Sequence, residues 1–160
     1  MDDETKSIKK AALEEASRNK TAQKTARILL ESNSGFVVPN ASQKLLLLIE
    51  LAKRNVVIYG KSFDILKLSE DVNLDDPAAI RHNLEKITFC EIKSSSRVLP
   101  SDFKGYFFAL TGAELLVAQN LKTKFKFVLV NVKSGKHIEL SLQELLGRAR
   151  GIYPTWSIMF

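Results

Sequence analysis

The chain has 160 residues, 45% apolar and 26% charged, the balance of one globular domain long enough to bury a core. Its net charge of +6 and isoelectric point near 9.4 favour polyanionic partners, nucleic acid among them. The single cysteine, Cys90, excludes an internal disulfide, and the polar start and short apolar runs exclude a leader or a membrane span, so a cytoplasmic protein with no membrane contact is expected.

Residues 7–31 lack Gly and Pro and are rich in Ala, Lys, Arg and Glu, which predicts helix, with Asn19 as a break. Gly35 suits the left-handed position that ends a helix, and residues 36–38 read as a short extended piece. Asn40 and Gln43 form a capping-box pattern for a leucine-rich helix to about Arg54, expected to be deeply buried. Residues 56–59 and 63–68 read as two strands around a Gly60-Lys61 turn, a possible hairpin. Asp76-Pro77 opens a short helix to Glu85. Residues 87–93 are the central strand, 94–105 a loop and 106–110 another strand. Thr111 with Glu114, and Ser141 with Glu144, are further capping boxes, for helices ending near Leu121 and Gly151. Between them lie the strand 125–132, the Ser134-Gly135 turn and the strand 137–140; the apolar tail 152–160 is expected to dock as a strand or interface. Interleaved helices and strands predict an α/β fold, a mixed central β-sheet flanked by helices, with an N-terminal helical segment at 1–34 and the core at 35–160.

Charged residues inside apolar strands mark the candidate site. Side chains alternate along a strand, so Glu91 and Lys93 share one face while Ile92 and Cys90 take the other. An acid beside a base on a buried face is costly unless something binds there. Asp64 stands alone between Phe63 and Ile65 on the preceding strand. A divalent cation between Asp64 and Glu91, with Lys93 beside it, would neutralise the acids and make a centre for phosphodiester chemistry. The spacing alone means nothing, since Glu4-Thr5-Lys6 repeats it in a polar terminus. His82 and His137 have no zinc-site or triad spacing, and Glu114 reads as a cap.

Asp64 followed by Glu91-Ile92-Lys93 on the next core strand resembles the PD-(D/E)xK nuclease superfamily, whose fold is restriction-endonuclease-like. Phe108-Ala109-Leu110-Thr111 with Glu114, Ala118 and the strand from Phe127 is similar to the segment downstream of that motif in Mrr-like members. The resemblance spans roughly residues 20–140. Phe63 stands where many members carry proline, and Gln23 where many carry a helix glutamate, with Glu50 a rival for that supporting role.

The resemblance implies a Mg²⁺-dependent DNA endonuclease, with Mn²⁺ able to substitute. Asp64, Glu91 and the Ile92 carbonyl would hold the metal, and Lys93 would serve the attacking water or the developing charge. Ser94, Ser95, Ser96, Arg97, Lys61 and Lys104 would contact double-stranded DNA. A type II restriction endonuclease or its catalytic subunit comes first. A Holliday junction resolvase or repair nuclease, or an inactive DNA-binding module of the same fold, comes second. One such site cuts one strand, so a homodimer or a companion subunit is expected.

Overall fold

A computed structural model describes residues 20–32 and 34–153 of the chain. Five strands form one mixed sheet in the order β1-β2-β3-β4-β5: Phe36–Val37, Ile65–Leu68, Ile87–Ser95, Phe125–Asn131 and Lys136–Leu140. β2 is antiparallel to both β1 and β3, β4 runs parallel to β3, and β5 returns antiparallel along β4. The parallel β3–β4 pair needs a long crossover, and the loop after β3 with its following helix supplies it.

Helices cover both faces. On one, α1 (residues 20–31) buries Leu29 against Phe36, Ile65, Cys90, Val128 and Val130. On the other, α2 (Ala41–Ala52), α4 (Gly112–Leu121) and α5 (Leu142–Arg148) bury Leu47, Leu51, Val117, Leu121 and Leu145 against Phe89, Phe127 and Leu129. α3 (Pro77–His82) lies against α2 and leads through the 3₁₀ turn Leu84–Lys86 into β3. β4 is buried on both faces from Phe127 to Asn131, as a strand between two helical layers must be. Phe63 meets Phe89 edge-on at 5.1 Å and Phe125 meets Phe127 at 5.2 Å. Each fully buried ring contributes about 2 kcal/mol, which makes this quartet a main anchor of the sheet.

Local signals hold closely. All three capping boxes form, at Asn40/Gln43, Thr111/Glu114 and Ser141/Glu144, and Asp76 caps α3 with Pro77 in its first turn. Gly35 and Gly135 take the positive φ their turns require. The helical reading of residues 7–19 and the tail beyond 153 lie outside the described residues.

Three expectations are corrected. Residues 56–59 are not a strand and form no hairpin, because β1 and β3 already occupy both edges of β2; the segment tucks Val56 and Ile58 toward the core. Residues 106–110 form no strand and are held instead through Tyr106. α2 is only half buried: Leu45 is 58% and Ile49 41% exposed, because the helix lies on the outside of the sheet with one face to solvent.

Candidate functional site

β2 and β3 bring the predicted residues together. The ladder ends with Ile65 opposite Cys90, and Asp64 sits just beyond it. Its backbone N–H donates to the Cys90 carbonyl at 2.9 Å, and its Oδ2 accepts from the Ile92 N–H, also at 2.9 Å. A carboxylate thus takes the place of the next ladder carbonyl, and the charge-assisted bond fixes Asp64 against β3. Asp64 is exposed, while Glu91 beside it is 7% exposed.

Glu91 and Lys93 share a face with Ile87 and Phe89, and Cys90 and Ile92 lie on the other, as strand alternation requires. Lys93 Nζ lies 3.0 Å from Glu91 Oε1 and 2.8 Å from Oε2 of Glu114. The side chains of all three are at most 13% exposed. The Tyr106 hydroxyl, in the crossover loop, donates to the Lys93 carbonyl and lies 3.3 Å from that of Val130, tying the loop back to β3 and β4.

Electrostatics follow from this crowding. Burial, then the charge of Asp64, pushes the Glu91 carboxyl well above the usual carboxylate range, against the pull of Lys93. Burial would lower Lys93, but its bonds to Glu114 and Glu91 outweigh that and keep the ammonium charged. Burial likewise opposes the charged form of Glu114, yet hydrogen bonds from Lys93 and Thr111 hold its carboxyl low. Glu91 and Glu114 share the Lys93 ammonium, and Asp64 stands close enough to Glu91 for its charge to be felt there. An all-oxygen set of this kind suits a hard divalent cation. Among the described residues, no group of three or more His, Cys, Asp or Glu side chains is arranged to hold a metal ion. The sequence assignment asks for two carboxylates and a backbone carbonyl.

Beside Asp64 opens a cleft of about 590 Å³ between α1 and the sheet. Gln23, Asp64, Ile92 and Ser94 line it with Thr21, Thr25 and apolar residues, so the helix glutamine does reach the neighbourhood of Asp64. Glu50 does not join them. It is 1% exposed and accepts from Arg81 at 2.8 Å and Lys53 at 2.6 Å, which ties α2 to α3. Ser94 and Ser95 end β3, and Ser96, Arg97, Lys61 and Lys104 are exposed on the loops around it. Lys53, Arg54, Lys124 and Lys126 are each engaged by a nearby carboxylate or carbonyl.

Glu114 is the site residue that sequence reading missed. Its capping role was visible from Thr111 three residues earlier, and that local explanation concealed the contact with Lys93. Nothing in residue spacing announces a partner on another element. His137 is packed edge-on to Phe36 at 5.6 Å, with Nε2 3.8 Å from Glu139, and Cys90 is fully buried on the face of β3 opposite Glu91. Compared with known proteins, the chain significantly matches no family model, no curated protein and no solved structure.

Proposed function

We propose that the protein is a Mg²⁺-dependent DNA endonuclease of restriction-endonuclease-like fold that hydrolyses phosphodiester bonds. One observation carries the reading: Asp64 is fixed by hydrogen bonds to Cys90 and Ile92 at the strand that bears Glu91 and Lys93. A structural Glu–Lys pair needs no such aspartate. The five-stranded mixed sheet with helices on both faces is compatible with that fold, and Gln23 lines the cleft that Asp64 borders, on the Ile92 face of β3.

Asp64, Glu91 and the Ile92 carbonyl would hold the metal. The fit rests on the donors: hard oxygens, one of them a buried carboxyl raised by burial and by the charge of Asp64. When bound, Mg²⁺, or Mn²⁺ in its place, supplies Lewis acidity toward the phosphate and acidifies a water. Lys93 donates a hydrogen bond to the attacking water or to a phosphate oxygen as negative charge develops. Ser94, Ser95, Ser96 and Arg97, with Lys61 and Lys104, contact the DNA backbone on either side. A restriction endonuclease or its catalytic subunit is the first choice, and a Holliday junction resolvase or repair nuclease the second. Double-strand cutting requires two copies or a companion subunit.

A second reading has an observation of its own. Lys93 already has two carboxylate partners, as in a structural ion-pair network. That favours an inactive DNA-binding module of the same fold. Incubating supercoiled plasmid with Mg²⁺ or Mn²⁺ separates them. The nuclease reading predicts nicking or linearisation by wild type, and a loss of at least about a hundredfold in Asp64→Ala and Lys93→Ala. Binding without cutting by wild type selects the second reading; neither binding nor cutting ends both.

A further inference from the structure

The capping box at α4 differs from the other two in where its third residue lies. In α5, Glu144 caps Ser141 with its side chain 52% exposed. In α2, Gln43 caps Asn40 at 3.0 Å, with no charge at all. A cap therefore needs neither a carboxylate nor its burial. Glu114 is a carboxylate and its side chain is 11% exposed, a placement that costs free energy unless the charge has a further use.

That use is visible in the geometry. A single oxygen, Glu114 Oε2, accepts from the Thr111 N–H at 3.0 Å and from Lys93 Nζ at 2.8 Å. It joins the first turn of α4 to an ammonium on β3. Lysine has a flexible four-carbon stem, and two partners are what confine it. We propose that Glu114 is a positioning residue that holds the Lys93 ammonium in place at the Asp64–Glu91 centre, an inference that rests on the nuclease reading of that centre. With a cation held by Asp64 and Glu91, Glu91 would give its charge to it, and Glu114 would remain the carboxylate that keeps Lys93 aimed. The crossover loop, anchored by Tyr106 on the Lys93 carbonyl, ends at Thr111, so the segment expected to meet DNA also sets the position of this carboxylate.

The variant Glu114→Gln separates the two roles, because glutamine preserves the cap, as Gln43 does in α2. Its thermal transition stays near that of wild type, while kcat for plasmid cleavage falls about tenfold or more with KM little changed. Thr111→Ala, which removes only the hydroxyl half of the cap, lowers the melting temperature by about 2–4 °C. A second readout needs no catalysis. Lys93 acetylation by an amine-reactive ester, followed by peptide mass spectrometry, is faster in Glu114→Gln than in wild type, whereas Lys61 is unchanged. An unchanged kcat in Glu114→Gln, or unchanged Lys93 acetylation, overturns the proposal. If wild type cuts no DNA, the nuclease reading fails and acetylation alone decides the positioning role. Should Glu114→Gln not fold, Glu114→Asp replaces it, its arm too short to hold both partners, and the same outcomes decide.

Discussion

Gly35 shows how much one position can carry. It has φ +77°, and a Cβ there would lie 2.3 Å from the Leu68 carbonyl oxygen. Its own carbonyl accepts the Leu68 N–H at 2.8 Å, so the turn after α1 is locked onto the end of β2. Gly35→Ala should therefore cost about 2 kcal/mol or more, from the left-handed backbone and the clash together. Urea denaturation checks this, and an unshifted midpoint would contradict it. Cys90 illustrates the opposite case, a residue whose chemistry is silenced. Burial pushes its thiol up to about 12, so it acts as a small apolar core residue. A positive φ at Gly35 was readable from the sequence, though it serves the bend into β1 and not the end of α1, which closes at residue 31. The Leu68 contact was not, because it joins residues distant along the chain.

At the scale of elements, Glu50 is the clasp between α2 and α3. Hydrogen bonds from Arg81 and then Lys53 lower its carboxyl to about 2 from an ordinary 4.5. The folded-state value is depressed, so its contribution to stability is fully present above pH 4.5. It is lost as the pH falls from there through about 2. Denaturation of wild type and Glu50→Gln across that window should show a stability gap that is constant above pH 4.5 and narrows below it. A gap independent of pH would mean the clasp contributes nothing through its charge. Along the chain both Lys53 and Arg54 are near enough to pair with Glu50; the fold uses Lys53 and adds Arg81, which became a partner only when α3 docked.

For the whole molecule, the charge of +6 becomes informative only when placed on the fold. Several lysines are held by nearby acids or carbonyls, while Arg97, Lys61 and Lys104 stand exposed around the end of β3. Under the proposed function, DNA affinity without Mg²⁺ should fall linearly in log–log form with salt. Arg97→Ala should reduce that slope by about 1, the loss of one phosphate contact. Fluorescence anisotropy across a salt series measures it. An unaltered slope would remove Arg97 from the interface. Among the described residues, no helix is long and apolar enough to cross a membrane.

The sequence by itself determined whatever depends on neighbours along the chain. That covers the three capping boxes, the proline-led start of α3, the glycine turns, the existence of β4 and the opposite faces of Glu91 and Cys90. These follow from backbone sterics and from side-chain periods that a few residues suffice to express. Tertiary structure decided how strand edges were allotted, and so left residues 56–59 and 106–110 unpaired despite their strand-like composition. It also decided which acid met which base, sending Glu50 to Arg81 and Glu114 to Lys93, and it brought Gln23 to the cleft that Asp64 borders. A sheet edge can be used once and a buried charge must find a partner in space, and neither constraint is written in the spacing of residues.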